Sequence, residues 1–211
     1  MASDAVIYEW HTGAKSYHIR QTTFTKCERA ASYGLPWIKQ RFAVEAAALR
    51  LLREQTNIPA PRLLAFDEDV NGLCYLVTEI VPGSVPGDMA AAECRMPHVH
   101  RPAQRNVPCA ACDGIVRANA DQFVRQVVLP QLSSLRSKTT GLDGFVIPPR
   151  WVYENDERVS WPVLSSPEYD FVFCHNDLVI HNMLFSLETL EVLALLDMEE
   201  CGYFPPEIQQ W

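Results

Sequence analysis

The spacing of apolar positions changes several times along this chain, and each change marks an element. Short extended runs lie between Tyr17 and Cys27, and Gly34-Leu-Pro36 breaks them. A helix is predicted from near Arg41. Ala43 to Glu54 consists largely of strong helix formers, and Phe42, Glu45, Leu49 and Leu52 fall on one face. Ile58-Pro-Ala-Pro61 ends it, because proline has no backbone N–H to donate and crowds the preceding turn. Leu73 to Val81 reads as a buried strand closed by Pro82-Gly83, which places a lobe boundary there: residues 1–82, then 83–211. Ala120 to Ser137 has helical spacing through Phe123, Val124, Val127, Val128, Leu132 and Leu135, with a kink expected at Pro130. Lys138 to Glu168 carries four prolines and reads as irregular surface chain. A strand from Tyr169 to Cys174, a polar loop, and a hairpin joining Met183-Leu-Phe185 to Val192 through Leu196 follow. No internal repeat is present.

Composition narrows the class. The chain has 211 residues, 48% hydrophobic and 21% charged, enough for one or two compact domains with a real core. Met1 to Trp10 lacks the basic start and apolar run of a signal peptide, and no apolar stretch approaches the ~20 residues of a membrane span. Seven cysteines, an odd number at low density, fit a reducing compartment, so the expected location is cytoplasmic. A net charge of -8 argues against a nucleic-acid surface, which needs clustered cations. Neither nucleic acid nor membrane is expected as a partner, and oligomeric state is not legible here.

The polar loop carries the chemistry. His175-Asn-Asp177-Leu178 is followed by Asn182, and Leu193-Ala-Leu-Leu196 ends in Asp197. Protein kinases use His-x-Asp-Leu-x-x-x-Asn to orient the acceptor hydroxyl and hold a metal, with a later Asp clamping magnesium on the nucleotide phosphates. On that pattern Asp177 is the catalytic carboxylate, and Asn182 and Asp197 offer the hard oxygen ligands magnesium prefers. Taken alone, the loop is equally a turn whose Asn and Asp bond their own backbone.

Glu45 gives an independent sign, as the lone charge on an apolar helical stripe that needs a cationic partner. Lys26, at the end of Thr22-Thr-Phe-Thr25, is the upstream candidate, with Lys39 beside the helix start as a rival. Glu79 and Ile80 end the strand before Pro82-Gly83, where a kinase hinge presents backbone groups to adenine.

The order Lys26, Glu45, Ile58-Pro-Ala-Pro61, Tyr75-Leu-Val-Thr-Glu79, His175-Asn-Asp177 and Leu196-Asp-Met-Glu-Glu-Cys-Gly-Tyr-Phe-Pro205 resembles the aminoglycoside phosphotransferase and choline kinase family, above all its fungal members. The resemblance implies an α+β, protein-kinase-like bilobal fold, with a small β-rich N-lobe and a mainly helical C-lobe, shortened at both ends. It implies ATP and Mg2+ as cofactors, a small-molecule hydroxyl acceptor, and Lys26 with Glu45 as the phosphate-anchoring pair. The chain departs from the family at Asn176, where Gly is usual, and at Met198, where an aromatic is usual. Only Gly13 and the stretch from Trp10 to Ile19 are available for the hairpin that covers the nucleotide.

The segment 86–118 fits the family poorly and is expected to be an irregular insertion. Within it, Cys94, His98, His100, Cys109 and Cys112 include a Cys-x2-Cys pair at zinc-site spacing. The surrounding prolines favour thiols and imidazoles that do not converge. The function expected is therefore an ATP-dependent small-molecule phosphotransferase. The alternatives are a non-catalytic kinase-like nucleotide-binding or interaction protein and, less favoured, a zinc-stabilised module built on 94–112.

Overall fold

Five antiparallel strands make the first sheet: β1 (Tyr8–His11), β2 (Lys15–Ile19), β3 (Thr23–Glu28), β4 (Leu63–Glu68) and β5 (Cys74–Glu79), in the order β1-β2-β3-β5-β4. The structure, a computed structural model, describes residues 5–30, 35–96 and 108–211. Helix α1 (Ile38–Gln55) buries Phe42, Glu45, Leu49 and Leu52, the stripe its spacing predicts, and with them Arg41, Val44, Ala46 and Ala48, so its buried face is wider than that stripe. It starts three residues before Arg41, after Trp37 in a left-handed turn, and ends where the Thr56 hydroxyl donates to the Leu52 carbonyl at 2.7 Å ahead of Pro59. Strands β1 and β2 form a true hairpin over Thr12-Gly13-Ala14, with the Thr12 N–H donating to the Lys15 carbonyl at 2.8 Å. The short stretch available for a covering hairpin is sufficient to build one.

Beyond Pro82 the chain makes β6 (Ser84–Pro86), α2 (Gly87–Glu93), α3 (Ala110–Phe123), a π-helical turn over Val124–Val128, α4 (Leu129–Ser134), β7 (Arg136–Ser137), α5 (Arg150–Tyr153), β8 (Phe171–Cys174), β9 (Met183–Ser186), β10 (Val192–Leu195) and β11 (Gly202–Phe204). These strands form two small sheets, β10-β9-β6 and β11-β8-β7. The predicted hairpin is β9–β10, and α1, β5 and the helices share one continuous core.

Two expectations are corrected. The segment 86–118 is not an irregular insertion where it is described: α2 and α3 occupy much of it and bury Ala90, Ala91, Cys94, Cys112 and Val116. Small residues form these packing faces, and a search for large apolar spacing passes over them. Second, the helix expected from Ala120 begins at Ala110, and its irregularity lies upstream of Pro130 as the π turn. Widening that turn accommodates the N–H that proline lacks and its clash with the carbonyl four residues back. His98 and His100, like Gly34, lie outside the described residues.

Candidate functional site

Strand alternation sends Lys26 of β3 inward, and the buried face of α1 brings Glu45 to meet it. Lys26 Nζ donates to Glu45 Oε2 at 2.7 Å, to Asp197 Oδ1 at 2.8 Å and to Glu199 Oε2 at 3.3 Å. Burial works to lower the Lys26 ammonium, but Asp197, Glu45 and Glu199 outweigh it and hold its pKa well above the ordinary lysine value. Burial pushes the Glu45 carboxyl up against the pull of Lys26. It works in the same direction on Asp197, where Lys26 and Lys15 win and hold the carboxyl below the usual range. Asp197 is thus ionised, with 36% of its side chain exposed.

The polar loop is held by its own neighbours. Asn176 takes φ 69, a left-handed conformation that asparagine adopts more readily than most residues, so it can stand in for glycine. His175 is fully buried, and its ring spans the site: Nε2 lies 2.9 Å from the Leu196 carbonyl, and Nδ1 accepts the Asp177 N–H at 3.3 Å. Those two bonds require a neutral ring with the proton on Nε2, and burial lowers its pKa accordingly. Asn182 Nδ2 donates to Asp177 Oδ2 at 2.8 Å and to the Asp177 carbonyl at 3.0 Å. The Leu196 N–H donates to the Asn182 carbonyl at 2.8 Å, which ties the loop to the segment that carries Asp197. Asp197 is itself left-handed at φ 59, a costly conformation for a non-glycine residue and one common at functional sites.

The sequence-derived residues Lys26, Glu45 and Asp197 are therefore in direct contact, and Asp177 and Asn182 are bonded to each other. Lys39 is elsewhere, on the surface with Glu68 at 2.9 Å. At the hinge position, Glu79 pairs with Arg62, and the Ile80 N–H already donates to the Thr22 carbonyl at 3.0 Å. Residues not singled out beforehand complete the cluster. Lys15, 4% exposed at the base of the β1–β2 hairpin, pairs with Glu199. Arg41 pairs with Glu200 at 2.7 Å and with Glu199 at 3.3 Å. The consecutive acids Glu199-Glu200, one residue beyond Asp197, were the available signal, since both needed cations once buried. Carboxylate oxygens of Glu45, Asp197 and Glu199 lie within 4.8 Å of one another, an oxygen-only set of the kind hard cations take. On the roof, Tyr17 stands opposite Lys26 in the ladder and stacks on Trp10, with ring centroids 4.8 Å apart.

Comparison with known proteins meets this geometry. No protein-family model matches the chain. Streptomycin 3''-kinase of Streptomyces griseus is 28% identical over 177 residues, 76% of this chain. The GDP complex of wild-type aminoglycoside 2'-phosphotransferase-IIIa superposes at TM-score 0.51 with 11% identity, covering 97% of this chain and 71% of that one. The fold is that of the aminoglycoside phosphotransferases. A second solved structure with this protein-kinase-like fold, the GDP and kanamycin complex of APH(2'')-IIIa, gives TM-score 0.52 with 12% identity over 97% of this chain and 71% of that one. The chain spans 62% of the length of the streptomycin kinase. Among the described residues, no helix is long and apolar enough to cross a membrane.

Proposed function

We propose that this chain transfers the γ-phosphate of a nucleoside triphosphate to a hydroxyl of a small molecule, with ATP as the donor read from the sequence. The observation that carries this reading is Lys26, bonded at once to Glu45 and to Asp197: the anchor and the metal-type acid meet at one ammonium. The lobes 1–82 and 83–211 would close on the nucleotide from either side. Trp10 and Tyr17 offer flat faces for a purine beside Lys26, and Glu79 with Ile80 marks the hinge edge. The streptomycin kinase relative makes a polyhydroxylated, cationic acceptor the first class to test, and the acidity of this chain is in keeping with it.

The donor set fits magnesium. Asn182 spends its amide nitrogen on Asp177, which leaves its amide oxygen for a cation, and Asp197, ionised, follows Leu196, whose N–H bonds the Asn182 carbonyl. Bound there, magnesium would neutralise charge on the phosphates. The protein's own part is positional. Asp177, fixed by Asn182 and by the His175 ring, orients the acceptor hydroxyl and accepts its hydrogen bond. Lys26, steadied by Glu45, exchanges a carboxylate partner for a phosphate oxygen, and Lys15 can do the same once Glu199 yields.

Asp177→Ala should cut turnover by about 10²- to 10⁴-fold while nucleotide affinity stays near wild type. Asp197→Ala should lose magnesium-dependent nucleotide binding itself. Thermal-shift titrations with ATP and GTP, with and without magnesium, followed by nucleotide consumption over a panel of hydroxylated small molecules including aminoglycosides, check both. Magnesium-independent or absent nucleotide binding in the wild type would favour the non-catalytic reading instead.

A further inference from the structure

Glu199 Oε2 accepts from two ammoniums at once, Lys15 Nζ and Lys26 Nζ, while Glu199 Oε1 lies 3.3 Å from Arg41 Nη1. One carboxylate oxygen held between two buried lysines has the surroundings of a phosphate oxygen in a cationic cradle. Of the two lysines, Lys26 is fixed by Glu45 on the buried face of α1. Lys15 has no such anchor: among the described residues, the one carboxylate it bonds is Glu199.

The covering hairpin delivers Lys15 from a fixed base. The Thr12 N–H donates to the Lys15 carbonyl at 2.8 Å, the Lys15 N–H donates to Thr12 Oγ1 at 3.2 Å, and the Arg29 N–H donates to the Ala14 carbonyl at 3.0 Å. Strand alternation puts Lys15 on the same face of β2 as Tyr17, which stands opposite Lys26 in the ladder. Lys15 is thereby buried beside a second cation, a placement lysine avoids unless an anion lies between the two.

We propose that Lys15 and Lys26 form a two-lysine cradle for a phosphate oxygen, and that Glu199 occupies it until the nucleotide arrives. This rests on the phosphotransferase reading and adds to it a residue of the covering hairpin and a self-occupied state of the site. The two oxygens of Glu199 divide the task. Oε2 fills the cradle, and Oε1 keeps the carboxylate on Arg41 after Oε2 has left. The exchange therefore strands no buried charge: Glu199 retains a guanidinium, and both ammoniums receive a phosphate oxygen. A ligand without phosphate has nothing to offer the two lysines and cannot displace the carboxylate. Self-occupation lowers the apparent affinity of every phosphate ligand by the fraction of molecules in which Oε2 is out, so removing the carboxylate must raise that affinity. The same contact ties the hairpin to the segment that carries Asp197, so the cleft is latched while the cradle is filled from within.

The test reads binding rather than turnover: titration of the full chain with ADP, adenosine and inorganic pyrophosphate at fixed magnesium and ionic strength. Lys15→Met should weaken ADP and pyrophosphate by about 10- to 100-fold and leave adenosine unaffected. Glu199→Gln should tighten ADP and pyrophosphate by about threefold or more, again without effect on adenosine. A gain in affinity cannot come from damage to the fold, so Glu199→Gln decides the matter should Lys15→Met fail to fold. ADP affinity unchanged in either variant, or weakened in Glu199→Gln, would overturn the cradle, while ADP binding by the wild type would keep the nucleotide reading. A wild type that binds pyrophosphate but not ADP, with the variant effects as stated, would keep the cradle and remove the nucleotide reading. A wild type that binds neither would overturn both.

Discussion

Two adjacent glutamates divide the charged heart of this molecule into two clusters of different character. Glu199 belongs to the cleft, where the ammoniums of Lys15 and Lys26 face three carboxylates, Glu45, Asp197 and Glu199. Glu200 belongs to the layer behind it, where Arg41 holds it at 2.7 Å, reaches Glu199 at 3.3 Å and lies over the Tyr153 ring at 5.4 Å. The cleft cluster has a surplus of negative charge and a partly open Asp197. The Arg41–Glu200 pair is closed, joined to the other cluster only where the same guanidinium touches Glu199, and Arg41 Nη2 and Glu200 Oε2 find no protein partner among the described residues. Surplus charge invites a cation, whereas a balanced buried pair only resists being broken.

Substitution of the two cations should separate these roles. Arg41→Met leaves Glu200 buried without its partner and should cost about 3–5 kcal/mol of stability, with no recovery on adding magnesium. Lys26→Met also destabilises, but it leaves Glu45, Asp197 and Glu199 gathered with Lys15 and Arg41 both reaching only Glu199. Magnesium should therefore raise the stability of Lys26→Met more than that of the wild type. Urea denaturation of the three proteins with and without magnesium measures this, and equal magnesium effects on both variants would erase the distinction between the clusters.

A smaller effect probes what positions the loop. At Gly87 an added Cβ would meet Ile180 backbone at 2.4 Å and Phe185 Cε2 at 2.7 Å, so Gly87→Ala should destabilise by about 1–3 kcal/mol. Gly114 lies inside α3 with nothing within 4 Å of its Cβ position. There the same substitution should stabilise by about 0.5–1 kcal/mol, by removing backbone freedom from the unfolded chain. Chemical denaturation of both variants is the check. Destabilisation at Gly114 as large as at Gly87 would mean that packing against the loop is not what distinguishes them.

Much of the site was legible because its residues violate a local rule. Glu45 is a charge on an apolar stripe, and Asp197 ends an apolar run, so each calls for a polar partner on sequence grounds. The β9–β10 hairpin and the α1 face follow directly from their periods. Strand β4 was not foreseen because Leu63-Leu-Ala-Phe66 shows no alternation, its burial being set by α1 above and β5 beside it. Lys15 was equally silent. A lysine beside a hairpin turn is normally solvated, and only the packing of β2 against the Asp197 segment buries it.

The smallest effect concerns His175, whose ring joins the two halves of the site. It bonds the Leu196 carbonyl and the Asp177 N–H and faces the carboxylates of Asp177 and Asp197. Burial lowers its pKa, and the Leu196 carbonyl and the two carboxylates only partly offset that. The folded state therefore prefers the neutral ring more than the unfolded chain does, where histidine titrates near ~6.5. Its contribution to stability is complete above that unfolded value and is lost as pH falls from there through the lower folded pKa. Unfolding free energies of wild type and His175→Gln should differ by a constant amount above about pH 6.5, and the gap should narrow below it. Glutamine keeps a donor for the Leu196 carbonyl but has no proton to gain, so the narrowing isolates the titration from the lost packing. A gap that widens toward acid would mean the ring is held charged in the fold, and would reverse the bond to Asp177 on which the loop geometry depends.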